Sequence, residues 1–293
     1  MSMGTFAERF AELVEVRAAR PAAVAQAAAR RARAAAPPGR LLIIAADHPA
    51  RGALRAGNDP LAMGNRADLL ERMCVALARP GVHGVLGTPD VIEDLLLLGA
   101  LEGKVVIGSM NRGGLAGAAF EIDDRFTAYT APAIAGARLD GGKMLLRVDL
   151  ADPATARTLE ACARAVTDLA AHGLMAMVEP FLSSREDGGR VRNVLTPEAM
   201  IHAVSIASGL GATSAHTWLK VPVVDRMEEV MAASTLPALL LGGEVLADQD
   251  AALAGWKAAL ALPTVRGLVV GRSLLYPPGG DVAGAVDAAA GLL

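Results

Sequence analysis

Eight short apolar runs recur along this chain, and helical patterns, mostly of ten or more residues, separate most of them. The runs cover residues 41–46, 82–87, 104–108, 143–149, 174–179, 217–223, 238–242 and 267–271. The helical patterns include residues 66–78, 154–171, 197–210, 225–234 and 247–261. Strands that alternate with helices form parallel sheets with right-handed crossovers, and eight is the number that closes a barrel. We therefore predict an α/β fold, a (β/α)8 TIM barrel.

An alanine-rich segment precedes the first apolar run. Residues 1–35 have the pattern of one or two helices, broken or kinked near Pro21, and the turn Pro37-Pro38-Gly39 stops them. We predict an N-terminal helical extension at residues 1–38 and a single barrel domain at residues 39–293, near the size of about 250 residues common for this fold. The extra helices could cover the bottom of the barrel or a neighbouring subunit.

Polar residues stand where the predicted strands end. The functional residues of a barrel lie at the carboxyl ends of its strands. The residues found there are Asp47 and His48, Arg147 and Asp149, Glu179, Lys220, Gly242 and Gly243, and Gly271, Arg272 and Ser273. The alternative architecture, an open doubly wound sheet, would need a Gly-rich phosphate turn after the first strand. The chain has Asp47, His48 and Pro49 there instead, which favours the barrel.

Composition narrows the class of partner. Hydrophobic residues make up 53% of the chain, yet no apolar run is long enough to span a membrane, and the N-terminus lacks the pattern of a secretory signal. A net charge of −3 argues against nucleic acid as the main partner. Cys74 and Cys162 lack metal-binding spacing and fit reduced core thiols. We expect a cytoplasmic protein that acts on a small molecule.

Lysine is rare in this chain, which has four lysines among its 28 basic residues. Lys220 alternates with Trp218 and Pro222 along a strand-like run, while Leu219 and Val221 take the other face, so Lys220 is predicted inside the barrel. Unlike arginine, a buried lysine can lose its proton and attack a carbonyl. The structural alternative is a lysine held by a carboxylate such as Asp47 or Glu179.

Three further residues are candidates for the same chemistry. Lys143 begins another apolar run, where it could lower the pKa of Lys220 as a second cation or cap the bottom of the barrel. Glu179 precedes a proline at a strand end and could act as a general acid or base, or pair with a cation. Asp47 has the same two possibilities.

Glycines and arginines at the strand ends predict an anion site. Barrels often bind phosphate after the seventh and eighth strands, where the chain has Gly242, Gly243, Gly271 and Arg272. Arg51, after the first strand, could hold a second anionic group or lie on the surface.

A metal site is the competing interpretation. His48 could carry a proton, bind a metal or belong to a loop, and Asp47, Glu179 and His216 offer further oxygen and nitrogen ligands. The histidines are scattered, without His-x-His or His-x-x-x-His spacing. We therefore expect no metal and no other cofactor.

Five strand-end segments together resemble the class I tagatose-bisphosphate aldolases. They also resemble the sulfofructose-phosphate aldolases and the wider group with class I fructose-bisphosphate and deoxyribose-phosphate aldolases. The segments are residues 46–52, 143–146, 178–181, 218–221 and 270–272, and the likeness runs from about residue 40 to 280. It implies a (β/α)8 barrel that cleaves phosphorylated ketoses through a lysine Schiff base, without metal.

The resemblance implies a role for each matching residue. It assigns Lys220 to the imine, Lys143, Glu179 and Asp47 to catalysis, and Gly242, Gly243, Gly271 and Arg272 to the phosphate. His48-Pro49 stands where the tagatose enzymes usually have Gln-Arg-Gly, so the sugar-contacting end differs. Aldolase-like proteins of inositol breakdown are also similar, and there the substrate would be 2-deoxy-5-keto-gluconate 6-phosphate.

We therefore expect a class I aldolase, an aldehyde-lyase of carbohydrate metabolism, which forms a homo-oligomer and releases dihydroxyacetone phosphate and an aldehyde. The alternatives are a retro-aldol enzyme like deoxyribose-phosphate aldolase, a metal-dependent aldolase or hydrolase, and a sugar-phosphate-binding barrel without activity.

Overall fold

Eight parallel strands close into a barrel in the computed structural model, which describes residues 5–34, 39–186, 189–243 and 249–293. The strands are β1 (Leu41–Ala45), β2 (Gly84–Gly87), β3 (Val105–Ser109), β4 (Gly141–Val148), β5 (Met175–Arg185), β6 (Val191–Asn193), β7 (Thr217–Val221), β8 (Ala238–Leu241) and β9 (Val265–Val270). All except β6 form the barrel, and β9 pairs with β1 to close it. The predicted (β/α)8 barrel is confirmed, and the open sheet is wrong.

Helices connect the barrel strands and surround them. They are α1 (Phe6–Ala19), α2 (Ala22–Arg30), α3 (Arg66–Ala78), α4 (Pro89–Leu97), α5 (Ala131–Gly136), α6 (Ala154–Ala171), α7 (Pro197–Ser208), α8 (Met227–Ala232), α9 (Gln249–Leu260), α10 (Arg272–Leu275) and α11 (Val282–Ala290). The bounds of α3 and α6 agree with the predicted ones. The prediction for α9 began at residue 247, and residues 247 and 248 lie outside the described residues. No helix in the described part of the chain is long and apolar enough to cross a membrane.

Side chains of β1 alternate between two buried clusters. In β1, Leu41, Ile43 and Ala45 belong to the cluster inside the barrel, whereas Leu42 and Ile44 pack outward against the helices. Residues two apart in a strand point to the same face. In a barrel wrapped by helices one face meets the interior and the other meets the helices, so both faces are mainly apolar. A charged residue on the inner face therefore needs a partner inside the barrel.

The N-terminal helices pack against α3 and α4 of their own chain, and Arg31, after α2, reaches the amino ends of β3 and β4. Arg31 is 1% exposed and donates hydrogen bonds to the carbonyl oxygens of Lys104 at 2.8 Å and Arg138 at 2.5 Å. Arg17 of α1 forms ion pairs with Glu93 and Asp94 of α4. The predicted domain boundary falls beside residues 35–38, which lie outside the described residues and include the prolines of the predicted stop.

The fifth barrel strand is longer than the sequence predicts. The prediction ends it at Glu179, the last residue of the apolar run at 174–179. The strand nevertheless continues to Arg185 and pairs there with the antiparallel β6. Arg185 forms an ion pair with Asp152 at 2.9 Å and donates to the carbonyl oxygen of Ala119 at 2.8 Å. This hairpin is thereby tied to the loops after β3 and β4.

We predict that Gly267→Ala destabilises the barrel where it closes. Gly267 has φ +134°, and a Cβ there would lie 2.0 Å from the carbonyl oxygen of Leu41. The free energy of unfolding should fall by about 3 kcal/mol, which lowers Tm by about 6–10 °C in a thermal melt. The matched control is Gly136→Ala at the end of α5, where a Cβ meets nothing within 4 Å. Equal melting temperatures for the two variants would contradict this prediction.

Candidate active site

Two lysines and two carboxylates meet inside the barrel, at what we call the lysine centre (Asp47, Lys143, Glu179 and Lys220). Lys220 Nζ lies 2.7 Å from Glu179 Oε1, and Lys143 Nζ lies 3.1 Å from Asp47 Oδ2. Lys143 Nζ also forms an ion pair with Glu179 Oε2. All four residues are buried, with exposed fractions of 1–8%. The structure thus brings together the four residues that the sequence nominated for catalysis.

Strand register places these side chains on one face. Met177 of β5 pairs with Lys143 of β4, and Glu179 pairs with Leu145, so Lys143 and Glu179 both point inward, two residues apart in register. Lys220 points inward from β7 with Trp218, and Leu219 and Val221 point outward, as predicted. Lys143 does not cap the bottom of the barrel, because β4 begins two residues earlier, at Gly141, and the ammonium reaches Asp47 beyond the end of β1.

Burial and mutual attraction shift the pKa values of the centre. Burial alone would raise the pKa of Glu179, but the ammonium groups of Lys143 and Lys220 outweigh it and lower that pKa to about 2. Desolvation lowers the pKa of Lys143 to about 8, because Asp47 and Glu179 offset only part of the cost of burying its charge. Both carboxyl groups are therefore ionised at neutral pH, and Lys143 can gain or lose a proton slightly above it.

Asp47 is held by donors that the sequence analysis missed. Its Oδ2 lies 2.8 Å from Arg112 Nη2 and accepts a hydrogen bond from Ser109 Oγ at 3.2 Å, in addition to Lys143. Arg112 Nη1 also donates to the main-chain oxygen of Asp47. Although burial opposes it, the charges of Arg112 and Lys143 hold the pKa of Asp47 well below its usual range. Ser109 ends β3, so the strand-end rule, applied to the third strand, would have found it.

The residues nominated for phosphate lie together at the ends of β8 and β9. Gly242 and Gly243 follow β8, and Arg272 donates to the main-chain oxygen of Gly243 at 3.3 Å. Gly271 packs against β1, since a Cβ there would lie 2.4 Å from the Ala45 oxygen and 3.3 Å from Cε1 of His48. His48 therefore stands between this glycine-rich edge and Asp47.

Arg51 has a different place from the one predicted. It is buried rather than on the surface, and both its terminal nitrogens bind the loop after β3. Nη1 donates to the Gly114 oxygen at 2.5 Å, and Nη2 donates to the Asn111 oxygen at 3.0 Å and pairs with Asp124 at 2.5 Å. The guanidinium thus organises a loop and is not aimed at the glycine-rich edge.

The four residues considered for a metal are not brought together. His216 precedes β7 and so lies at the amino end of the barrel, opposite Asp47, His48 and Glu179. Across residues 5–34, 39–186, 189–243 and 249–293, no three histidine, cysteine or acidic side chains are grouped as metal ligands.

Comparison with known proteins places the chain among relatives. A family model described as Cgl0159-like matches residues 39–290. The crystal structure of Cgl0159 from Corynebacterium glutamicum is 54% identical, with a TM-score of 0.95 over 97% of this chain and 96% of that one. No curated protein sequence matches.

Two distant structures share the fold alone. A Schiff-base-forming fructose-1,6-bisphosphate aldolase is 19% identical, with a TM-score of 0.62 over 92% of this chain and 99% of that one. An archaeal fructose 1,6-bisphosphate aldolase is 18% identical, with a TM-score of 0.66 over 92% and 98%.

We predict that Arg51→Met destabilises the protein, because it leaves the buried carboxylate of Asp124 without its cation. The free energy of unfolding should fall by about 3 kcal/mol, measured by denaturant titration. Arg55→Met, in the same loop but with an exposed side chain, is the control and should change stability by less than about 0.5 kcal/mol. An unchanged midpoint for Arg51→Met would reject the structural role.

Proposed function

This chain belongs to the Cgl0159-like family, and we propose that it is a class I aldolase. It would act as a carbon–carbon lyase on a phosphorylated ketose or keto-sugar acid, through a Schiff base on Lys220. One observation carries the proposal: Glu179 is shared by two buried ammonium groups, those of Lys220 and Lys143. The Schiff-base-forming aldolase of the same fold supports it, whereas no match named above is a tagatose-bisphosphate or sulfofructose-phosphate aldolase.

A lysine with a purely structural role needs only one carboxylate to balance its charge. In this site the positive charges outnumber the negative ones. Lys143, Lys220 and Arg112 carry three positive charges, against two negative charges on Asp47 and Glu179. An uncompensated charge in a buried site is costly. An anionic substrate would supply the missing negative charge, which favours a phosphorylated sugar over a neutral one.

Imine formation uses the two oxygens of Glu179 as a bridge. Lys220 first gives one ammonium proton to solvent, and its neutral amine attacks the ketone of the substrate. The proton that the nitrogen then loses passes through Glu179 Oε1, 2.7 Å away, to the ketone oxygen, which becomes the hydroxyl of a carbinolamine. Lys143, on Oε2 of the same carboxylate, gives a proton to the hydroxyl that leaves the carbinolamine as water. Because the pKa of Glu179 is lowered to about 2, its carboxylate passes a proton on and does not keep it.

Carbon–carbon cleavage then uses the iminium as an electron sink. The electrons of the breaking bond form an enamine on Lys220, and the hydroxyl of the departing fragment passes its proton to Glu179 and becomes the carbonyl of an aldehyde. Asp47 stays ionised and orients the hydroxyl, because its Oδ2 already accepts hydrogen bonds from Ser109 and Lys143 and pairs with Arg112. The phosphate would bind at the ends of β8 and β9, to Gly242, Gly243, Gly271 and Arg272.

The products would be dihydroxyacetone phosphate and an aldehyde, without any metal. Among keto-sugar acids, 2-deoxy-5-keto-gluconate 6-phosphate fits this reaction. The homo-oligomeric state and the cytoplasmic location stay predictions.

We predict that borohydride traps dihydroxyacetone phosphate on Lys220, because reduction of an imine leaves a stable secondary amine. Peptide mass spectrometry should find the adduct at Lys220 in the wild type and none in Lys220→Arg. Lys143→Arg keeps the charge of its ammonium and should still give the adduct at Lys220, though more slowly.

Two outcomes would contradict this assignment. An adduct on Lys143 would exchange the roles of the lysines. No adduct, with dihydroxyacetone phosphate still bound, would favour a sugar-phosphate-binding barrel without activity.

We predict that Lys143 loses its role as an acid above pH 8. Lys143, with its pKa lowered to about 8, is protonated below that pH and neutral above it. As the acid for the departing hydroxyl it is active only when protonated, whereas the arginine of Lys143→Arg stays protonated. The pH dependence of the Lys220 amine is common to both proteins, so the rate of imine formation in the wild type, divided by that in Lys143→Arg, should fall about tenfold per pH unit above pH 8. Both rates are measured with dihydroxyacetone phosphate, by quenching with borohydride at a fixed pH, and a ratio that rises through pH 8 would contradict the acid role.

A further inference from the structure

We propose that His48 is a catalytic residue, which moves the proton at the carbon beside the imine. The inference rests on the proposed Schiff-base function and adds the step that follows cleavage. In that step Nε2 of His48, whose side chain is 26% exposed, takes a proton from solvent and gives it to the enamine carbon. The electrons of the carbon–carbon double bond form the new carbon–hydrogen bond, and the nitrogen becomes an iminium again. Water then releases dihydroxyacetone phosphate. In the reverse direction His48 removes the same proton.

The position of His48 separates it from the buried centre. It follows Asp47 directly beyond the end of β1, at the start of a short 3-10 turn at Pro49–Arg51. Its side chain is 26% exposed, whereas those of Asp47 and Lys143 are 2% exposed. His48 thus borders both the lysine centre and the space open to a substrate.

His48 also lies beside the proposed phosphate site. Its Cε1 packs against Gly271, the residue before Arg272. The charged groups that act on the imidazole are Asp47, Arg272, Lys220 and Glu179, which belong to both halves of the site. A dihydroxyacetone phosphate imine joined to Lys220, with its phosphate at Gly271 and Arg272, would bring the carbons next to the imine towards this ring.

The negative charge beside Nδ1 favours one tautomer of the ring. Nδ1 is buried, has no hydrogen-bond partner among the described residues, and lies 3.8 Å from Oδ1 of Asp47. A proton on Nδ1 points to a carboxylate and leaves the lone pair of Nε2 as the base. When Nε2 takes the substrate proton, the carboxylate of Asp47 stabilises the imidazolium, as the aspartate of a catalytic triad does.

The charge state agrees with this arrangement. Burial, together with the charges of Arg272 and Lys220, lowers the pKa of His48 to about 3 against the opposing effects of Asp47 and Glu179, so the ring is neutral before the substrate binds. A phosphate bound to Arg272 would offset the charge that repels the imidazolium and make Nε2 more basic. Substrate binding would thereby prepare the base.

The two carboxylates are less suited to this step. Oδ2 of Asp47 accepts from Ser109 and Lys143 and pairs with Arg112. Each oxygen of Glu179 faces a lysine. Oxygens held by these partners are not free to face the carbon beside the imine, whereas the His48 side chain is 26% exposed, so that proton falls to the imidazole.

The test is His48→Gln, measured on two partial reactions of dihydroxyacetone phosphate. Glutamine keeps a similar length and hydrogen bonding but cannot take a proton. Borohydride trapping on Lys220 should stay within about twofold of wild type, whereas exchange of the carbon-bound hydrogen with D2O, followed by NMR, should slow by about 100-fold. His216→Gln, at the other end of the barrel, is the control and should change neither reaction.

Each outcome has one meaning. Full trapping with exchange within about threefold of wild type in His48→Gln would overturn the role of His48 and leave the proposed function standing. Absence of trapping in the wild type would remove the proposed function, and this inference with it. If His48→Gln does not fold, as judged by its circular dichroism and melting curve, His48→Asn is measured with the same expectation.

Discussion

Glu179 holds a buried ammonium group on each of its carboxylate oxygens, and the interior of the barrel is organised around this shared charge. Ions inside a protein are tolerated only when they are paired and hydrogen-bonded. The pairing ties β5, which carries Glu179, to β4 through Lys143 and to β7 through Lys220. It also suits the proposed chemistry, because a carboxylate between two lysines can pass a proton from one nitrogen to the other.

A second set of ion pairs supports the first from the loop after β3. Arg112 clamps the side chain and the main chain of Asp47. Asp124 of this loop pairs with Arg51, which follows β1. Glu121 of the same loop pairs with Arg147 of β4. Such an arrangement pre-organises Asp47 as a fixed negative charge, which lowers the reorganisation required when charge develops on a substrate. His48, beside this centre, keeps 26% of its side chain exposed.

Lys220 and Arg51 show why sequence reasoning succeeded at one residue and failed at another. Lys220 belongs to a strand, where the two-residue period ties the facing of a side chain to that of its neighbours. Arg51 and Arg112 belong to loops, where no period exists and partners are distant in sequence. Arg51 meets Asp124 across 73 positions, and Arg112 reaches back 65 positions to Asp47. The strand-end rule, extended to Ser109 and the residues after it, would have recovered part of this loop.

The sequence by itself determined the barrel, the inward direction of Lys220, and the grouping of polar residues at the strand ends, because these follow from local periodicity and from the order of elements. The tertiary structure decided which charges touch. Only the closed barrel shows that Lys143 shares Glu179 with Lys220, that Arg51 serves a loop, and that His48 borders Gly271. These contacts depend on strand register and loop paths, which pack residues from distant parts of the chain within hydrogen-bond range and leave no pattern in the sequence.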